Sequence, residues 1–211
     1  MYGIHRKTTK AKIFLLTIQI IYLMIVYWLI LGNFDNFMIS NINIMISITF
    51  LRLNAMIFFW LPRGISFKEA IGNGLAFGLY YLGFPILAIF GEINIGIIII
   101  GWLLFIIGSA LNTTSELLRK PFKDDPNNKG KLYTGGLFKY AIHINYFGDV
   151  LWVTGLALTT CNWWSLLIPI FLISLFIFSY IPNDDKYLQH HYGKAFSDYQ
   201  KNTKELIPFV W

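Results

Sequence analysis

The sequence contains little charge and only one cysteine, and both shortages narrow its possible functions. Charged residues make up 13% of the 211 residues and hydrophobic residues 56%, and the mean hydropathy is +0.56. A soluble globular protein of this size needs more polar surface than that. Cys161 has no second cysteine, so neither a disulfide within the chain nor a cysteine-rich zinc site is predicted. The composition indicates a polytopic integral membrane protein, and no metal site is predicted.

Sequence motifs of several common enzyme classes are also missing. The chain has no Walker P-loop, no Gly-x-Gly-x-x-Gly after a strand, no His-Glu-x-x-His and no Gly-x-Ser-x-Gly. The net charge is +6, but the basic residues lie between hydrophobic runs rather than on one continuous face. Nucleic acid is therefore not predicted as a partner. With no internal repeat and no linker, residues 1–211 are predicted to form a single membrane domain.

Six apolar runs are each near the roughly 20 residues that a bilayer-spanning helix needs. They predict an all-α protein of about six transmembrane helices, and the first run, Ile13 to Leu31, is expected to remain as a signal anchor. The predicted spans are 12–32, 37–60, 71–91, 94–112, 137–160 and 163–182.

The basic residues predict the orientation of these spans. All but one of the 17 lie in alternate connections, whereas the connections around Asp35, Glu92 and Cys161 contain none. The positive-inside rule therefore predicts that both termini are cytoplasmic. The membrane would be the endoplasmic reticulum in a eukaryote or the inner membrane in a bacterium.

Arg52 is the exception, because it falls inside the second predicted span. An unpaired guanidinium there would be costly. Either the span ends early and Arg52 reaches the interface along its aliphatic stem, or Arg52 lines an internal cavity and meets an anion.

The stretch from Leu132 to Asp149 places a Gly-Gly pair, aromatic rings and polar side chains in an otherwise apolar segment. Such polar groups are costly in hydrocarbon unless they pair with one another or with a ligand. Asn145 and Asp149 are one helical turn apart, and His143 precedes Asn145 by two positions. We interpret the stretch as the core of a cofactor site that opens to the cytosol.

Three polar segments lie near this stretch along the chain, two before it and one after it. Residues 112–116, Asn-Thr-Thr-Ser-Glu, are suited to ending one helix and capping the next, and residues 119–131 are predicted to form an ordered cytoplasmic loop whose basic residues suit phosphate. The run from Asp184 to Asn202 is predicted to be helical, with Tyr187 and His191 near one face.

Motifs in the second half of the chain resemble the C-terminal domain of the steroid 5-alpha-reductase family, in its uncharacterised microbial and protist branch. The longest is Gly135-Gly136-Leu137-Phe138-Lys139-Tyr140-x-x-His143-x-Asn145-Tyr146-Phe147-Gly148-Asp149. Asn112-x-x-Ser115-Glu116 and Asn128-Lys129-Gly130-Lys131-x-Tyr133 precede it, and Tyr187-Leu188, His191-Tyr192-Gly193 and Ile207-Pro208-Phe209 follow it.

The resemblance implies an NADPH-dependent reduction of an activated carbon–carbon double bond, an enone, in a lipophilic steroid-like or polyprenyl-like substrate. Residues 1–112 would then form the substrate side and residues 113–211 the cofactor-binding region. Amides and carboxylates would hold the nicotinamide and ribose, and basic residues the phosphates. The implied cofactor residues are Asn112, Ser115, Glu116, Arg119, Lys120, Lys123, Lys131, Tyr133, His143, Asn145, Tyr146, Asp149, Tyr187 and His191.

The catalytic group is not identified by the resemblance. Steroid reductases of this family carry a tyrosine three residues before an arginine to polarise the enone oxygen. Aligning Arg52 with that arginine puts Thr49 at the tyrosine position, and threonine is a much weaker acid. The candidates are therefore Arg52, Thr49, Tyr80 and Tyr81, or else the substrate is not a 3-oxo steroid.

Two other functions are open from the sequence. Ile142-His143-Ile144-Asn145-Tyr146 partly resembles the Arg-His-Pro-x-Tyr element of S-adenosylmethionine-dependent methyltransferases of the isoprenylcysteine carboxyl methyltransferase type, with Asp184-Asp185 in place of their paired glutamates. Thr49 also suggests a non-catalytic member of the fold that binds lipid or acts as a scaffold. The expected partners are a lipophilic small molecule and membrane lipid, and the sequence does not predict an oligomeric state.

Overall fold

The computed structural model describes residues 8–30, 37–60 and 64–211. Within these ranges all the regular structure is helical and no β-strand is present, which confirms the all-α prediction. Arg6, Lys7, Asp35 and Arg63, which contributed to the predicted orientation, lie outside them. The α-helices are α1 (Thr9–Ile30), α2 (Phe37–Ala55), α3 (Phe67–Gly78), α4 (Phe84–Ile89), α5 (Ile95–Asp124), α6 (Ile144–Thr159), α7 (Leu167–Leu175), α8 (Ile181–Tyr192) and α9 (Lys194–Asn202).

Short π-helical turns lengthen or join several of these helices. Met56–Trp60 continues α2, Leu79–Gly83 joins α3 to α4, and Phe176–Tyr180 joins α7 to α8. Five helical segments of the described chain are consequently long and apolar enough to cross a membrane, as expected of a polytopic membrane protein. They are Thr9–Trp28, Phe37–Trp60, Phe67–Ile89, Ile95–Asp124 and Trp163–Tyr192.

The predicted span 137–160 corresponds to a shorter helix. Gly136–Lys139 forms a 3₁₀ turn that starts from a glycine with φ +55°, and α6 begins only at Ile144. With 16 residues, α6 is below the length of about 20 residues that crosses a bilayer unaided.

The prediction that residues 112–116 end one helix and cap the next is wrong. They lie inside α5, whose 30 residues would extend about 45 Å, well beyond a hydrocarbon core of about 30 Å. Asn112, Ser115 and Glu116 are buried, and the Ser115 hydroxyl donates to the Asn112 carbonyl at 2.9 Å. Because protein groups satisfy these side chains, the helix continues through them. The predicted loop therefore starts after Asp124 rather than at residue 119.

The predicted helical run from Asp184 to Asn202 is two helices. Gly193 has φ +51° and separates α8 from α9. This conformation is strained for any residue with a Cβ, so the glycine sets the break.

The contacts divide the chain into two compact units. The first consists of Met1–Leu103 and Val153–Ile168, and its buried core includes Ile42, Tyr81 and Phe84. The second consists of Leu104–Trp152 and Pro169–Trp211. Its core includes Phe138, Ala141, Ile144, Phe176, Ile181 and Leu206. All the predicted cofactor residues belong to the second unit and all the catalytic candidates to the first.

Candidate cofactor site

Two glycines let α5 and α6 approach closely in the second unit. A Cβ on Gly108 would lie 2.3 Å from the Trp152 nitrogen, and a Cβ on Gly148 would lie 2.6 Å from the Asn112 nitrogen. Since real Cβ atoms do not come so near a backbone, only glycine permits this packing. The start of α6 is thereby held against the Asn112 turn of α5.

This packing assembles an amide–carboxylate cluster, which consists of Asn112, Glu116, Arg119 and Asn145. The Asn112 side-chain amide donates to the backbone carbonyl of Asn145 at 3.3 Å. The Asn145 side-chain amide donates to Glu116 Oε1 at 3.5 Å. Arg119 donates to the other oxygen, Glu116 Oε2. Asn112 and Glu116 are both 6% exposed, so the carboxylate lies in a water-poor place with an amide on one side and a guanidinium on the other.

Basic residues continue along α5 beyond this cluster. The Arg119 guanidinium lies 5.2 Å from the Phe138 ring centre, and Lys120 pairs with Asp124. Lys123 Nζ lies 3.4 Å from the Tyr192 hydroxyl on α8. The side chains of α5 thus change from amide and carboxylate to cationic over about 10 Å, the rise between residues 116 and 123.

The absence of side chains at Gly135 and Gly136 leaves room for the ring of Tyr133. The Tyr133 hydroxyl donates to the Leu118 carbonyl at 3.2 Å, and a Cβ on Gly136 would lie 2.8 Å from that hydroxyl. Tyr133 also contacts the rings of Phe122 and Phe138, at 5.1 and 5.8 Å between ring centres. The ring therefore fastens the segment before α6 to α5.

A second group, the histidine–carboxylate cluster, consists of His143, Asp185 and Glu205. His143 Nε2 lies 2.9 Å from Asp185 Oδ1 and 3.6 Å from Glu205 Oε1. Backbone pairing sets this geometry, because the Ile142 and His143 N–H groups donate to the Lys204 and Glu205 carbonyls at 2.8 and 2.9 Å.

The two carboxylates determine the charge of the imidazole. Burial alone would lower the pKa of His143, which precedes α6 and lies outside the five spanning segments, but the hydrogen bond to Asp185 and the negative charge of the nearby Glu205 raise it to about 9. The nearby His143 imidazole in turn lowers the pKa of Glu205.

Tyr146 and Asp149 have partners of their own. The Tyr146 hydroxyl donates to Asp184 Oδ2 at 2.6 Å, and its ring stacks between His143 and Phe176, at 5.4 and 4.5 Å between centres. Asp149 Oδ1 accepts from Trp152 Nε1 at 2.8 Å.

The structure thus separates the predicted cofactor residues into groups. Asn112, Glu116, Arg119 and Asn145 meet each other between α5 and α6, whereas His143 and Tyr146 face α8 and the C-terminal segment. Tyr187 and His191 stack on each other at 5.5 Å on α8, and Lys131 is exposed in the loop after α5.

Glu205 and Tyr192 were not predicted as site residues. Tyr192 lies inside one of the motifs that carry the resemblance, but Glu205 stands between the polar residues 201–204 and the apolar residues 206–211. No local pattern marks its contact with His143.

The catalytic candidates lie in or beside the helices of the first unit. The buried Thr49 hydroxyl donates to the Met45 carbonyl of its own helix at 2.9 Å. Tyr81 is fully buried and its hydroxyl donates to Gln19 Oε1 at 3.0 Å, an oxygen that also accepts from the Asn54 amide at 3.0 Å.

The other two catalytic candidates are Tyr80 and Arg52. Tyr80 stacks on Phe84 at 6.3 Å between ring centres. Arg52 is within the helical segment Phe37–Trp60, which continues for two turns beyond it, so the helix does not end before Arg52.

Comparison with known proteins gives a family match. Residues 76–203, more than half the chain, match the family model described as "Protein of unknown function (DUF1295)". These residues contain both clusters except for Glu205.

Curated relatives are matched over part of their length. The chain is 36% identical to 3-oxo-5-alpha-steroid 4-dehydrogenase 1 of Rattus norvegicus over 52% of this chain and 40% of the relative. It is 30% identical to 3-oxo-5-alpha-steroid 4-dehydrogenase 2 of Sus scrofa over 72% of this chain and 57% of the relative. A shorter match, 45% identical over 28% of this chain and 21% of the relative, is to "Probable O-methyltransferase ustE" of Ustilaginoidea virens.

Proposed function

This chain belongs to the DUF1295 family and is similar to steroid 5-alpha-reductases, and on that premise we propose that it is a membrane-embedded, NADPH-dependent reductase. The reaction would be hydride transfer to an activated carbon–carbon double bond, an enone, in a lipophilic substrate. The matches span about half the length of these relatives or less, so the identity of the substrate is not carried over from them.

The observation that supports NADPH is the gradation of side chains along α5. A buried amide and carboxylate, Asn112 and Glu116, suit the hydrogen-bonding groups of nicotinamide and ribose, and Asn145 contributes a second amide. Arg119, Lys120 and Lys123 follow on the same helix and suit phosphates. A ligand with a neutral polar end and an anionic end fits this order of residues.

When bound, NADPH would supply the hydride. The residues of this chain would hold its nicotinamide in one orientation, since Asn145 is fixed by Glu116 and its carbonyl by Asn112. Polarisation of the substrate carbonyl requires a hydrogen-bond donor at the developing negative charge. Of Tyr81 and Thr49, we assign this role to Tyr81, because a phenol is the stronger acid.

The alternative is methyl transfer from S-adenosylmethionine, favoured by the short match to an O-methyltransferase. The acidic pair that would replace the paired glutamates of such enzymes is engaged within the protein, Asp184 by Tyr146 and Asp185 by His143. The methyltransferase match covers 28% of this chain, against 52% and 72% for the two reductases, so the reductase is the first proposal. A non-catalytic lipid-binding member of the fold is the third possibility.

A paired ligand screen on the full chain, purified in detergent, tests the proposal. NADPH is expected to raise the melting temperature and to bind with a micromolar or lower Kd, and Asn145→Ala is expected to weaken that binding about tenfold or more, the loss of a hydrogen bond to a polar ligand group. Asn202→Ala is the matched control, because Asn202 is exposed at the end of α9 and its amide donates to the Asp198 carbonyl of the same helix.

Each outcome of the screen has a defined meaning. Stabilisation by S-adenosylmethionine but not by NADPH would replace the reductase with the methyltransferase. Stabilisation by neither would favour the non-catalytic reading. Equal weakening by both asparagine variants would show that the effect does not arise at the α5–α6 contact.

A further inference from the structure

We propose that His143, Asp185 and Glu205 form a binding site for a divalent metal cation such as Zn²⁺. The sequence predicted no metal site, because its single cysteine excluded the thiolate sites and the three residues lie far apart along the chain. In the structure one oxygen or nitrogen of each residue lies within 4.8 Å of the other two. The inference does not depend on the proposed reductase activity.

The histidine–carboxylate cluster has more hydrogen-bond acceptors than donors. His143 Nε2 can carry one proton, and Asp185 Oδ1 lies at hydrogen-bond distance, 2.9 Å. Glu205 Oε1 is 3.6 Å away, buried, and has no hydrogen-bond partner among the residues that the structure describes. A buried carboxylate oxygen in this state is costly, so the site is short of one positive group.

The charges are unequal as well. A protonated imidazole supplies one positive charge against the two negative charges of Asp185 and Glu205. A divalent cation bound to the neutral imidazole would balance the two carboxylates and would occupy the space between all three side chains. The His143 side chain is 5% exposed and the two carboxylates about 20%, so little water is present to screen the imbalance.

The ligand atoms and their separations suit a small transition-metal ion. Imidazole nitrogen and carboxylate oxygen are ordinary ligands of Zn²⁺, at about 2.0–2.2 Å. Two such ligands on a tetrahedral ion are about 3.3 Å apart by the same geometry, a value between the 2.9 and 3.6 Å that separate His143 Nε2 from the two oxygens. A fourth position would remain for water.

The ligands come from three separate parts of the second unit. His143 precedes α6, Asp185 is on α8 and Glu205 follows α9, and the backbone bond from His143 to the Glu205 carbonyl holds two of them in register. The Gln200 amide donates to the outer oxygen of Asp185 at 3.4 Å, as residues behind a metal ligand commonly do. A bound cation would therefore join the C-terminal segment to the start of α6.

The test is metal binding by the full chain in detergent after EDTA treatment and dialysis. Zn²⁺ is expected to raise the melting temperature and to bind at one ion per chain. Glu205→Gln, which keeps the shape of the side chain, is expected to weaken binding about tenfold or more. Asp198→Asn is the control, because Asp198 is an exposed carboxylate nearby in sequence and is expected to leave the affinity unchanged.

Co²⁺ binding can be measured on the wild-type protein, so this second test does not depend on whether a variant folds. Substitution of Co²⁺ for Zn²⁺ is expected to produce visible ligand-field bands that disappear on addition of excess Zn²⁺. Absence of saturable binding would overturn the proposal and leave a protonated imidazole between two carboxylates. Equal Zn²⁺ affinity in the wild type, Glu205→Gln and His143→Gln would overturn it too, since the ion would then sit elsewhere.

Discussion

Gly108 and Gly148 face each other across α5 and α6, so closely that a Cβ on Gly108 would lie 2.6 Å from the Gly148 carbonyl oxygen and one on Gly148 would lie 2.9 Å from the Gly108 oxygen. The contact is between two backbones, which have no rotamers with which to adjust. The distance between Asn112 and Asn145, and hence the shape of the amide–carboxylate cluster, depends on it.

We expect Gly148→Ala to separate α5 from α6 and to abolish or strongly weaken NADPH binding. Overpacking of this kind costs about 1–3 kcal/mol of stability. Gly72→Ala is the control, because Gly72 is an exposed helical glycine whose added Cβ would meet nothing within 4 Å, and it should be neutral or stabilising by up to about 1 kcal/mol. The measurements are the melting temperature and the NADPH Kd; unaltered binding in Gly148→Ala would contradict the assigned role of this contact.

Glu116→Gln is expected to weaken NADPH binding by about ten- to a hundredfold, because hydrogen bonds to a charged group contribute about 1.5–3 kcal/mol. The variant keeps the side-chain shape but removes the charge that holds Arg119 and orients Asn145. Glu92→Gln removes one negative charge from an exposed position in the first unit and should not change the Kd. Titration calorimetry with both variants distinguishes a local effect from one of net charge.

Tyr81→Phe is expected to lower the melting temperature slightly and the reductase rate greatly. The lost hydrogen bond to Gln19 accounts for about 1 kcal/mol of stability, whereas positioned proton donors contribute about 10²–10⁴ to a rate. NADPH oxidation with a panel of lipophilic enones measures the rate. Thr49→Val is the comparison; a large rate loss there with none in Tyr81→Phe would transfer the role to Thr49.

Cys161 is a native probe of orientation. It is partly exposed in the turn between α6 and α7, on the side that the positive-inside rule makes extracytoplasmic. A membrane-impermeant maleimide should therefore label it in intact cells, or in intact microsomes only after permeabilisation if the membrane is the endoplasmic reticulum. Lys201→Cys in a Cys161→Ser background should show the opposite pattern. The same pattern for both cysteines would contradict the predicted orientation.

The sequence predicted those features that depend on one segment at a time. Apolar runs of spanning length gave the helical class, and the span 37–60 agrees with the segment Phe37–Trp60. The prediction of a helix cap at the polar residues of α5 is wrong, because a buried Asn112 or Glu116 is indistinguishable in sequence from one that ends a helix. What decides between the two is a partner on another helix, here Asn145.

The same limit applies to the candidate site. Asn145 was singled out because a polar side chain in an apolar run needs a partner, but the sequence did not show that its neighbour His143 points to different elements. In the structure Asn145 contacts α5, whereas His143 contacts α8 and the C-terminal segment. A resemblance carried residue by residue does not separate two side chains that lie two positions apart and face different helices.

The pairing of residues 142 and 143 with residues 204 and 205 also sets an order of events during biosynthesis. Residues 142 and 143 leave the ribosome about 60 residues before residues 204 and 205. At the usual rate of synthesis, about 5–20 residues per second, this is a delay of some seconds. The two backbone N–H groups of residues 142 and 143 cannot bind the Lys204 and Glu205 carbonyls, nor the imidazole the Glu205 carboxylate, until α7 has been made. The second unit therefore closes late in synthesis, and a ribosome that stalls before residue 205 leaves a chain that is already in the membrane but has an open site.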